Sequence, residues 1–110
     1  LGEKRELRKQ EQKRTRRDHV WKCAEKVAAL SKENYGIKKL WLFGSLVSSK
    51  HFTAHSDIDL FVEDFPANTD FWVVLGQAKH TAASFPINLI TDEDAPPRLK
   101  DKIREEGVPL

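Results

Sequence analysis

Apolar runs and chain breakers alternate in the order helix, strand, short helix, strand, helix, strand, helix, which predicts an α/β domain with a small sheet covered by helices. Three observations carry this. The first 35 residues hold no Pro, and no Gly after Gly2, and their second half repeats apolar residues at helical spacing. Three apolar runs, ending near Phe43, Glu63 and Thr91, are bounded by breakers and too short for helices. Between the second and third lies a segment of helical periodicity. No internal repeat competes with this organisation.

The first element spans about Glu3 to Asn34, with Val20, Trp21, Ala24, Val27, Ala28 and Leu30 forming its apolar stripe, and Gly36 stops it. Its first half has Leu7 as its one large hydrophobe, so it frays or lies against a partner, and the core should survive its truncation. Ile37 to Phe43 reads as a buried strand, Ser45 to Val47 as a short helix or turn, and Ser48 to His55 as a polar loop. Asp57 to Glu63 is the second strand, ended by Pro66. Asn68 or Thr69 would cap a helix running to Ala83, burying Phe71, Trp72, Val74, Leu75 and Ala78. Pro86 to Thr91 is the third strand, and a last helix begins at Pro96-Pro97, carries Leu99 and Ile103, and stops at Gly107.

One small domain fits a chain of 110 residues, which divides into a basic helical arm, 1–17, and a body, 18–110. The net charge of +2 hides an asymmetry: the arm has eight Lys/Arg against three acids, net +5, and the body eleven against fourteen, net −3. Such a run is ordinarily a solvated helix face; its functional alternative is an acidic or nucleic-acid partner. No apolar stretch reaches the roughly 18 to 20 residues of a membrane span, which points to a cytoplasmic protein without a membrane partner. Cys23 stands alone, which rules out an internal disulfide and leaves a small buried hydrophobe as its role. His19 and His80 lack the spacing of a metal-binding helix, and His51 and His55, although four apart, sit in a segment that reads as loop. Trp21, Trp41 and Trp72 sit in apolar runs and read as core aromatics.

The most informative segment is Leu42 to Val62, with Gly44-Ser45 ending one strand and Asp57-Ile58-Asp59 opening the next. On an extended chain Asp57 and Asp59 project from the same face while Ile58 enters the packing beneath. Two carboxylates held together call for a cation, and Mg²⁺ takes one or two carboxylates plus substrate phosphates. Gly44 and Ser45 offer phosphate oxygens a close approach and backbone N–H groups. Ser45 has no histidine in a triad context and is read as a phosphate contact, not a nucleophile. Glu63 and Asp64 would end the second strand at the surface, and Asp92, Glu93 and Asp94 would cap the last helix, since Asp92 falls about 13 Å beyond Asn88.

These residues resemble the nucleotidyltransferase superfamily related to DNA polymerase beta, and in particular the minimal nucleotidyltransferases, or MNT proteins. Leu42-Phe43-Gly44-Ser45 resembles the family's strand-terminal Gly-Ser, and Ser56-Asp57-Ile58-Asp59-Leu60 its Asp-x-Asp strand. Pro86-Ile87-Asn88-Leu89-Ile90 and Arg104-Glu105-Glu106-Gly107-Val108 extend the likeness over most of the chain. The resemblance implies a mixed sheet with helices packed on one side and transfer of AMP from ATP. It also implies Mg²⁺ ligation by Asp57 and Asp59, triphosphate binding by Gly44 and Ser45, and a HEPN ribonuclease toxin as the protein silenced.

Two departures stand out. Asn88 occupies the place of the family's third acid, supplying a neutral oxygen but neither charge nor a base. The spacer between Ser45 and Asp57 has eleven residues, one more than usual in small members, and Ser48-Ser49 replaces an Arg-Gly. Three functions follow: a Mg²⁺-dependent transferase acting on a protein, with Asp57, Asp59 and Asn88 as its catalytic residues; an impaired antitoxin acting by binding alone; and a nucleic-acid-binding module using Lys4 to Arg17. The arm has no interleaved aromatics, which ranks the last behind the others. Nucleotide preference, acceptor and oligomeric state are not encoded in these motifs.

Overall fold

The structure, a computed structural model, describes residues 2–48 and 50–110, with side chains from Arg5 onward; Ser49 of the Ser48-Ser49 pair in the expected polar loop lies outside the described residues. The element order is α1 (Gly2–Tyr35), β1 (Lys39–Phe43), a 3-10 turn (Gly44–Leu46), β2 (Ile58–Glu63), α2 (Phe71–Ala82), β3 (Ile87–Thr91), α3 (Pro97–Glu106) and β4 (Val108–Pro109).

The four strands form one mixed sheet in the order β3-β2-β1-β4. β1 runs antiparallel to β2 and β4, while β2 and β3 are parallel and joined through α2, the arrangement a crossover connection requires. β4 was not expected. It is two residues long, pairing Val108 with Leu42 and Pro109 with Trp41, too short to leave an alternating pattern in the sequence.

Strand alternation divides the side chains between two faces. Leu40, Leu42, Ile58, Leu60, Val62, Ile87 and Leu89 face α1 and α2, meeting Val20, Ala24, Val27 and Ala28 of α1 and Val74, Ala78 and Ala82 of α2. Trp41, Phe43, Phe61 and Ile90 point the other way, onto Leu99 and Ile103 of α3. The sheet is therefore covered on both faces, not on one as the resemblance implied, because β2 carries the large Phe61 outward between Asp59 and Glu63.

Local chemistry sets the element ends. α1 stops at Gly36, whose φ of +68° is the left-handed value glycine adopts without strain. α2 is capped by Asp70, whose Oδ1 accepts from Trp72 N at 2.9 Å, and not by Asn68 or Thr69. Trp72 falls on the side of α2 away from its buried Val74, Ala78 and Ala82 and is 73% exposed instead of in the core. α3 begins at Pro97 and its Pro96 cap makes no side-chain bond, so Asp92 is not a cap. Asp92 Oδ2 instead accepts from Asp64 N at 2.7 Å, and its Oδ1 lies 3.7 Å from Lys100 Nζ.

Glu63 also departs from expectation. Its side chain, only 14% exposed, accepts from Trp41 Nε1 at 3.2 Å and lies 3.6 Å from Arg104 Nη2 and 3.9 Å from Lys39 Nζ. A residue expected to end a strand at the surface instead ties β2 to α3. Cys23 is half-buried, and burial pushes its thiol pKa up, with Lys26 opposing. No described helix is long and apolar enough to cross a membrane.

Candidate functional site

The antiparallel register pairs Phe43 with Asp59, and the parallel register pairs Asp59 with Asn88. The C-terminal end of β1 thus meets the starts of β2 and β3, and adjacent strands bring Gly44, Asp59 and Asn88 to one end of the sheet. Asp57 sits one residue before β2.

Asn88 spans the acid pair. Its Nδ2 donates to Asp57 Oδ2 and to Asp59 Oδ1, both at 3.0 Å. One amide group therefore reaches both carboxylates, which places them on the same face as alternation requires. Burial pushes the Asp59 carboxyl above its ordinary 3.8; the Asn88 bond acts against this, and the charge of Asp57 adds to it.

Gly44 has a φ of +82°. A Cβ at this position would collide with Asp59 Oδ2, so the turn lies directly against the carboxylate. Both facts restrict the site to glycine. Ser45 follows in the 3-10 turn, half-buried, and Leu46 is buried behind it as an anchor.

The turn is also held from α1. Arg17 Nε donates to Leu46 O at 2.9 Å and Arg17 Nη2 to Val47 O at 3.0 Å, while the guanidinium lies 5.2 Å from the centre of the Trp21 ring. Within the next segment, Phe52 is 2% exposed and pins the expected polar loop to the core. Ser56 Oγ accepts from Thr53 N at 2.8 Å, closing the turn that delivers Asp57.

Each residue expected at the site thus lies at this end of the sheet: Asp57, Asp59 and Asn88 are linked by hydrogen bonds, Gly44 touches Asp59, and Ser45 adjoins Gly44. Sequence reading missed Arg17, whose contacts lie 29 and 30 residues away and leave no local signal. It also missed a cavity of about 790 Å³ beside the turn, lined by Ser45, Ser48 and His51 together with Leu99, Lys102 and Glu106 of α3. Among the described residues no group of three or more His, Cys, Asp or Glu gathers at one point, in keeping with Asn88 at the third position.

Residues 25–110 match the family model described as polymerase beta, nucleotidyltransferase. The chain belongs to the polymerase beta nucleotidyltransferase family. Family membership makes general nucleotidyl transfer its class of chemistry and accounts for the mixed sheet. No curated protein matches the sequence. Among solved structures, a "putative nucleotidyltransferase" from Sulfolobus solfataricus superposes with a TM-score of 0.55 at 13% identity. The match covers 84% of this chain and 80% of that one, a likeness of fold alone.

Proposed function

We propose that this nucleotidyltransferase-family chain binds Mg²⁺ and ATP between Asp57, Asp59 and the Gly44-Ser45 turn, and transfers AMP to a protein acceptor. The acceptor that the family resemblance implies is a HEPN ribonuclease toxin, silenced in the cytoplasm where ATP and Mg²⁺ are at hand. The carrying observation is that Asp57 and Asp59 converge on one amide while Gly44 packs against Asp59.

The donor set fits Mg²⁺, being two carboxylates with phosphate oxygens to complete the shell. When bound, the ion neutralises charge developing on the oxygens of an in-line displacement. The chain's own residues do the rest. Asp57 and Asp59 fix where the α-phosphate lies, and Gly44 and Ser45 hold the β- and γ-phosphates. The acceptor hydroxyl oxygen bonds to the α-phosphorus, the bond from that phosphorus to the bridging oxygen breaks, pyrophosphate leaves, and the acceptor's proton passes to water. Asn88 is exposed, so the acceptor reaches the carboxylates from its side.

Asn88 also favours a second reading, an antitoxin acting by binding alone. Its Nδ2 occupies the carboxylate oxygens a cation needs, and no third acid replaces it. Labelled ATP with the partner toxin separates the two. Covalent AMP transfer that Asp57→Ala abolishes establishes the first. Failure of transfer with every divalent metal, with neutralisation intact in Asp57→Ala, leaves the second, and Asn88→Asp should then restore transfer.

A further inference from the structure

The strands set out the site in a fixed sequence: Asn88 on β3, Asp59 on β2, Gly44 after β1 and Gly107 before β4. The cavity of about 790 Å³ includes Gly44 and Gly107 in its lining but none of Asp57, Asp59 or Asn88, so it opens on the β1–β4 side of the acid pair. Gly107 is the joint that holds α3 there: a Cβ would stand 2.5 Å from Ile103 O and 3.0 Å from Leu42 O, so the end of α3 lies against β1.

We infer that this cavity takes the terminal phosphate of the nucleoside triphosphate, and that Lys102 of α3 is the residue that distinguishes a triphosphate from a monophosphate. The inference rests on the proposed binding of triphosphate at Asp57, Asp59 and Gly44-Ser45. An in-line displacement puts the acceptor and the leaving pyrophosphate on opposite sides of the α-phosphorus. With the acceptor on the open Asn88 side, the pyrophosphate runs across Gly44-Ser45, and its far end enters the cavity.

The lining suits that end. Ser45 and Ser48 bring hydroxyl donors, His51 a ring N–H, and Lys102 the cavity's one lysine or arginine. Phe43 and Leu99 contribute apolar wall beside these polar groups. Glu106 is the only carboxylate in the lining and lies four residues from Lys102 on the same helix, where it can orient the ammonium group.

The test is equilibrium binding of Mg²⁺-tripolyphosphate, Mg²⁺-ATP and AMP to the full chain at physiological salt. Wild type is compared with Lys102→Ala, Lys102→Glu and, as a control for general loss of charge, Lys79→Ala on α2. Lys102 and Lys79 are both exposed, so the variants should fold, and unchanged unfolding midpoints check this. Lys102→Ala should weaken tripolyphosphate and ATP about tenfold, as for loss of a charge-assisted contact, Lys102→Glu should weaken them further, and AMP should change less than about twofold. Lys79→Ala should change none of them.

Equal weakening by Lys79→Ala would make the effect one of general attraction and overturn the inference. Weakened AMP binding with tripolyphosphate unaffected would place the nucleoside in the cavity, with the same consequence. Tight ATP binding indifferent to Lys102 overturns the inference alone, whereas wild type that binds neither triphosphate overturns the parent reading with it.

Discussion

The α-carbon of Gly44 lies so close to Asp59 that the carboxylate occupies the space of any Cβ placed there. The turn and the acid are thus one packed unit, joined across the β1–β2 register that sets Phe43 opposite Asp59.

Gly44→Ala should therefore act twice. The φ of +82° destabilises any L side chain by about 1 kcal/mol, and the clash displaces Asp59 from its neighbours. The expected outcome is a folded protein with a lowered unfolding midpoint and no Mg²⁺-dependent shift on adding ATP, measured by thermal denaturation. An intact ATP-dependent shift would show that the close approach has no part in binding.

Asn88→Asp exchanges a donor for a third negative charge. Both hydrogen bonds to the acid pair disappear, and like charges converge, so the metal-free protein should lose about 1–3 kcal/mol. Addition of Mg²⁺ should recover stability and raise the melting temperature by more than in wild type. Denaturant titrations with chelator and with excess Mg²⁺ measure the difference.

The raised pKa of Asp59 fixes a direction for pH dependence. Burial is its main cause; the Asn88 bond opposes it and Asp57 reinforces it. A carboxyl whose folded pKa exceeds its unfolded value of about 3.8 keeps a proton that the unfolded chain releases. Its favourable contribution is full below the unfolded value and is lost as pH rises through the folded one. In urea titrations with chelator present, Asp59→Asn should gain stability relative to wild type between pH 4 and pH 7. A gap independent of pH would show that Asp59 titrates as an ordinary carboxyl.

Arg17 connects the helix to the turn through two carbonyls. Arg17→Ala should cost about 1.5–3 kcal/mol, the range for hydrogen bonds to a charged group, with its part-exposed position favouring the low end. Lysine cannot supply the paired N–H groups, so Arg17→Lys should recover only part of the loss. Hydrogen exchange should quicken at Val47 and Ser48, whose amides bond to Gly44 O, more than in the β1–β2 ladder.

The sheet and the site motif were legible because they follow local rules. Alternation placed Leu40 and Leu42 on one face, and the short apolar runs fell within a residue or two of β1, β2 and β3. Asp-x-Asp had to share a face, and a glycine beside it had a steric purpose. What escaped was set by distant or marginal effects. Trp72 was taken for core because it sits in an apolar run, but at about 100° per residue it stands on the opposite side of α2 from the buried Val74. Asp92 and Glu63 make their bonds to groups 28 and 22 residues away, beyond any pattern of neighbours. Only the fold brings α3 over the turn to form the cavity.

The helix α1 runs without a break from Gly2 to Tyr35, about 51 Å at 1.5 Å per residue, close to the molecule's longest dimension of 58 Å. Its second half is bolted to the sheet, and Arg17 sits at the fulcrum where the basic half departs. The two halves make a lever: a load applied near Leu7 acts at a distance of about 15 Å from the bonds at Leu46 and Val47. Torque on the arm therefore reaches the Gly44-Ser45 turn through the Arg17 guanidinium and through the apolar packing of Leu46 and Val47 in the cluster that α1 helps to form.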